Sequence, residues 1–166
     1  MRWTCSSEEL LDARARDEVA SFARKVKWTW FVGLTFAHPV RDLRAGQKIF
    51  REFARKVAQG VFAEHFRYLV VAGIQPSLNY HFHVLIEAPP SAAARGIHEG
   101  HLKWAWRETD GPGGRFDIRP YNPALKAVEY MIHQHPEWDF SIACTRDGAC
   151  AHRPCALERA IWRTAE

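Results

Sequence analysis

The stretch Asn79-Tyr80-His81-Phe82-His83-Val84-Leu85-Ile86-Glu87 constrains this chain more than any other part of it. On an extended strand, successive side chains point to opposite faces. Phe82, Val84 and Ile86 then share one face, and His81 and His83 share the other. A wholly apolar face has to be covered, whereas two imidazoles side by side suit an open surface. Just upstream, Arg67 to Ile74 is a Val- and Leu-rich run bounded by Gly73 and Pro76, which suits a buried strand. Pro76-Ser77-Leu78-Asn79 supplies a turn, so the two strands are expected to pair antiparallel.

The remaining pattern extends this sheet. Ser6 and Ser7 before Glu8-Glu9 read as a helix start, with Leu11, Ala15, Val19, Phe22 and Val26 at helical spacing. Trp30, Val32, Leu34 and Phe36 alternate with Thr29, Phe31, Gly33 and Thr35, which predicts a strand. Its helix-packed side is expected to take both Trp28 and Trp30. Ile49, Phe50, Phe53 and Val57 predict an amphipathic helix from Leu43 to Ala58, with Gly60 as its stop. Ser91 is placed to cap a helix reaching Arg107, and Trp104 and Trp106 on it suit either core or platform. Arg115 to Arg119 reads as a short strand, and Asn122-Pro123 opens a helix to Gln134. The order is α-β-α-β-β-α-β-α. The expected class is α+β: an antiparallel sheet of about four to five strands with helices packed on one face, in the split β-α-β, ferredoxin/RRM-like arrangement. The other face is expected to stay open.

At 166 residues, with 47% hydrophobic and 25% charged, the chain is expected to form one domain with a substantial core. An N-terminal helix (7–26) and a Cys-containing C-terminal extension (140–166) are expected to flank it. Arg far outnumbers Lys among the 23 basic residues, net charge is +4 and there are seven Trp. Such a balance suits a polyanion with something flat to stack on, and equally an ordinary solubility margin. No run approaches the roughly 18 apolar residues that span a bilayer. Acidic Glu8-Glu9 interrupts the N-terminus before a signal-peptide core could form, so no membrane partner and a cytoplasmic location are expected.

Two imidazoles placed as His81 and His83 can chelate one divalent cation if a third ligand arrives from elsewhere; the plain alternative is two surface histidines. On the last helix Leu125, Val128 and Ile132 form an apolar stripe, and Tyr130 falls on the far side with Lys126, His133 and Gln134. A Tyr away from the packing stripe, among groups that stabilise a phenolate or bind phosphate, is a candidate nucleophile. The alternative is a Tyr with its hydroxyl in water.

Taken in chain order, Phe31-Val32-Gly33-Leu34-Thr35-Phe36, then His81-Phe82-His83, then Asp117-Ile118-Arg119-Pro120 followed by Val128-Glu129-Tyr130, the sequence resembles the HUH (His-hydrophobic-His) endonucleases. The nearest likeness is to the nuclease domains of rolling-circle replication initiators, over roughly residues 28–135. The resemblance implies that His81 and His83 hold Mg²⁺ or Mn²⁺, and that Tyr130 attacks single-stranded DNA to leave a 5′-phosphotyrosine and a free 3′-OH. It implies sequence-specific nicking and rejoining at an origin or hairpin, with a host helicase and polymerase as partners, since no helicase fits in this length. Relaxase or single-strand transposase activity is the second reading, and a catalytically degenerate nucleic-acid-binding module the third.

The third ligand departs from the family pattern. Gln75 stands where an acidic residue is common, and Gln134, one turn after Tyr130, matches the transposase branch. His133 replaces the usual Lys, and Lys126 could supply that charge. Thr35, Arg41 and Arg119 are candidate DNA contacts. Arg41, Arg44, Lys48, Arg51 and Arg55 are expected along one helix, as either a phosphate-binding or an ordinary basic face. Cys144, Cys150, His152 and Cys155 gather four potential ligands for a structural Zn²⁺, without the paired Cys-x2-Cys spacing. The plainer alternative there is reduced cysteines in the C-terminal extension.

Overall fold

The computed structural model describes residues 7–64, 66–75, 77–109 and 113–134. Four strands, β1 (Trp30–Phe36), β2 (Arg67–Ile74), β3 (Tyr80–Glu87) and β4 (Gly113–Pro120), form one sheet in the order β2-β3-β1-β4. Every neighbouring pair is antiparallel. β1 and β2 therefore run parallel with β3 between them, which is the split β-α-β arrangement in an α+β fold. Apolar side chains alternate along the central strands: Val32, Leu34, Phe82, Val84 and Ile86 all lie at or below 1% exposure on one face. Two helices cover that face, α2 (Leu43–Lys56) and α4 (Glu99–Arg107). Asp42 caps α2 by accepting the Arg44 and Ala45 amides. Gly46 lets α2 lie close to the sheet, since a Cβ there would stand 3.2 Å from the Phe82 ring. Trp30, Phe53, Phe62, Trp106 and Phe116 complete this core.

The opposite face is not left open along its whole length. Helices α1 (Ser7–Lys25) and α5 (Ala127–Gln134) pack there, burying Val19, Ala20, Ala23, Val128, Met131 and Ile132 against Leu69, Val71 and Leu85. The cause is visible in β2, whose six central residues are buried on both faces, so its second side demands cover as well. Phe22 is 38% exposed, because Val19, Ala20 and Ala23 carry the contact instead. Trp28 lies outside β1 and joins this second core, its Nε1–H donating to the Ala23 carbonyl at 2.8 Å. The strand's alternation begins only at Trp30, so Trp28 and Trp30 part company.

Three helix boundaries differ from the sequence pattern. α2 runs on as a π-helical stretch, Val57–Phe62, through Gly60, and ends at Ala63 in the left-handed conformation. The helix expected over 91–107 is broken into α3 (Ser91–Ala94) and α4 by Gly96 at φ 65° and by His98, whose ring caps α4. Ser91 is no cap, and its hydroxyl donates to Glu64. Asn122 does cap a turn, but it is the short 3₁₀ segment Pro123–Leu125, and Lys126 at φ 50° separates it from α5.

Candidate active site

His81 and His83 project from β3, an interior strand of the sheet, onto the face that α1 and α5 only partly cover. Gly73 of β2 stands directly across from His81, and Gly33 of β1 directly across from His83. Glycine inside a strand normally weakens it, and here it removes the cross-strand side chain on one flank of each imidazole, while Val71 stands across from His83 on the other. The two Nε2 atoms are 3.1 Å apart, with the ring planes at 89°. A hydrogen bond at that distance needs a proton on one Nε2 and a lone pair on the other.

Tyr130 reaches this pair because α5 is pinned on its far side. Val128, Met131 and Ile132 are fully buried against β2 and β3, which turns Tyr130, 40% exposed, toward the site. Its ring lies 5.5 Å from that of His83 in an edge-on contact. Arg24 of α1 pairs with Glu129 at 3.2 Å, fastening the two helices beside the tyrosine. Leu125 is not part of the stripe: it precedes the helix and is 64% exposed. Lys126 supplies its carbonyl, which accepts the Tyr130 amide at 3.0 Å.

Between β4 and α5 a cleft of about 280 Å³ opens beside the tyrosine, with Phe31, His83, Arg119, Tyr121, Leu125 and Tyr130 among its walls. Phe31 lies nearly parallel to His83, with centroids 5.7 Å apart, and the Arg119 guanidinium sits 5.4 Å from the Phe31 centroid. Burial, reinforced by the Glu129 carboxylate, raises the Tyr121 hydroxyl above its ordinary value of 10.0.

His81, His83, Tyr130 and Arg119 are thus brought together. Thr35 marks the point where the β1–β4 register shifts; its hydroxyl accepts the Arg115 amide at 2.8 Å and donates to the Arg115 carbonyl. Arg41 is exposed in the loop before α2, which the Tyr80 amide ties to β3 through the Val40 carbonyl. Gln75 lies in the hairpin turn, its amide bonded to the Asn79 carbonyl. The backbones of His133 and Gln134 end α5, but their side chains lie outside the described structure, as do Cys144, Cys150, His152 and Cys155. Among the described residues, no cluster of three or more His, Cys, Asp or Glu is assembled. Phe31 and Tyr121 also line the site, although neither is a candidate from the sequence pattern. Phe31 was legible, being two residues before Gly33 on the same face. Tyr121 follows the strand and carried no periodic signal.

Comparison of the chain with protein-family models, with curated proteins and with solved structures finds no match.

Proposed function

We propose that this protein is a metal-dependent, sequence-specific endonuclease for single-stranded DNA that attacks through Tyr130 and acts in rolling-circle replication initiation. The observation that carries the reading is the placement of a nucleophile-type residue 5.5 Å, ring to ring, from one member of a close imidazole pair. The pair also suits a cation. His81 and His83, with Nε2 atoms 3.1 Å apart on one strand face, would be two ligands of a bound Mg²⁺ or Mn²⁺ once the proton their hydrogen bond requires is displaced. Such an ion, when bound, supplies charge stabilisation to a phosphate in transfer.

In the proposed step the Tyr130 oxygen gives up its proton and bonds to phosphorus as the bond to the 3′ oxygen breaks. The 3′ oxygen leaves with the bonding pair and takes up a proton, and the 5′ phosphate stays on Tyr130. The reverse reaction reseals the strand. Lys126 and His133 are the sequence's candidates for handling the charge and the proton.

Incubation with labelled single-stranded DNA and Mn²⁺ is expected to give a covalent protein–DNA adduct. Tyr130→Phe is expected to lose it entirely, and His81→Ala with His83→Ala to lose it while the protein still folds. Cleavage that persists in the histidine variant rejects the metal assignment. A second reading, a non-catalytic nucleic-acid-binding module, is favoured by the sheet order β2-β3-β1-β4 with Phe31 on its less covered face. Binding without an adduct would select it.

A further inference from the structure

The cleft between β4 and α5 has room for one small ring and is lined by groups that recognise a flat one. Its 280 Å³ lies below the usual 300–1,000 Å³ of sites for drug-sized ligands. One wall is a ladder of planar groups: His83, then Phe31 nearly parallel to it at 5.7 Å, then the Arg119 guanidinium at 5.4 Å. Three strands supply these groups in order, because Phe31 pairs with Leu85 of β3 on one side and with Arg119 of β4 on the other. Tyr121, Asn122 and Tyr130 also line the cleft. Tyr121, with its hydroxyl kept protonated by burial and by Glu129, is a neutral hydrogen-bond donor.

We infer that this cleft is a pocket for one unpaired nucleobase of the bound strand, held beside Arg119 and Phe31 next to the phosphate that Tyr130 faces. This deepens the proposed function and rests on that reading for its neighbouring phosphate. The chemistry selects a base over other flat ligands for two reasons. The Arg119 guanidinium at the end of the ladder is a usual stacking partner of a splayed-out base, and a base edge has acceptors for the Tyr121 hydroxyl. The cleft shares His83 and Tyr130 with the candidate reaction centre, so an occupant would be continuous with a backbone phosphate there. A base can enter only when it is out of a duplex. On this inference the pocket itself makes the protein a single-strand reader.

The test separates the pocket from the chemistry. The full chain is titrated with each 2′-deoxynucleoside 5′-monophosphate and with 2-deoxyribose 5-phosphate, following backbone resonances of Phe31, Arg119 and Tyr121. At least one nucleotide is expected to bind about tenfold tighter than the base-free sugar phosphate, the scale of one stacked base. The paired variant Phe31→Leu with Arg119→Lys is expected to erase that preference, and the nucleotide is expected to compete with a single-stranded oligonucleotide. Equal affinity for both ligands, or binding of neither, overturns the pocket. So does a preference that survives the paired variant, or a bound nucleotide that leaves single-strand binding undisturbed. Adduct formation at Tyr130 is scored separately. An occupied base pocket with no adduct rejects the nuclease reading alone, and an adduct with no base preference rejects the pocket alone.

Discussion

Gly114 is the residue whose chemistry leaves least choice. A Cβ there would come within 2.5 Å of the Phe36 carbonyl carbon and 2.9 Å of the Ala37 nitrogen, both backbone atoms that no rotamer change can move. Gly114→Ala is therefore expected to destabilise the fold by about 1–3 kcal/mol, read as a lower urea midpoint. Tyr121 carries a pH dependence of definite sign. Its hydroxyl stays protonated in the folded state to higher pH than the ordinary value of 10.0 allows, chiefly because of burial. That contribution to stability is fully present below pH 10 and is lost as pH rises through the folded-state value, because only the unfolded chain ionises readily there. Tyr121→Phe should flatten the alkaline limb of a stability-against-pH curve. At this scale the sequence was most legible where backbone period alone decides. His81 and His83 share a face in any extended strand. Trp28 was not legible, because its burial depends on the Ala23 carbonyl and not on β1.

Among the elements, α1 and α5 work as a pair. Ala23 is fully buried where α1 meets the sheet, so Ala23→Asp would place an unpartnered carboxylate in the second core. The expected result is a loss of more than about 3 kcal/mol in α1 docking. Adduct formation should fall with it, because α5 loses the helix that backs it. Arg24→Ala at the neighbouring ion pair should cost under about 1 kcal/mol, since both side chains are substantially solvated. Comparing the two variants by denaturation and adduct yield tests whether packing or charge seats Tyr130. The helix boundaries illustrate what pattern reading misses at this scale. Hydrophobic spacing over 91–107 and 123–134 is continuous enough for one helix each. Gly96 and Lys126 nevertheless take left-handed backbone conformations that divide them. Conversely, Gly60 looked like a stop and is carried through by π-helical bonding.

Across the whole molecule, two cores clamp one sheet. The larger lies under α2 and α4, and the smaller under α1 and α5. The smaller one covers the β2 side, with Phe31 and Tyr121 packed at its edge, and Arg119 of β4 lines the cleft beside it. Under the single-strand reading, binding should weaken linearly in log salt, with a slope of about −0.7 for each phosphate neutralised. Filter binding over a KCl series checks this, and a salt-independent affinity would exclude a phosphate chain as the ligand. No helix among the described residues is long and apolar enough to cross a membrane. What the sequence determined by itself is the set of strands, the apolar face they share, and the pairing of His81 with His83 on the other. All of these follow from a two-residue backbone period that operates locally. The order β2-β3-β1-β4, the second core and the approach of Tyr130 to His83 were decided only by tertiary structure. They depend on which apolar surfaces, far apart in the chain, are left for one another to cover.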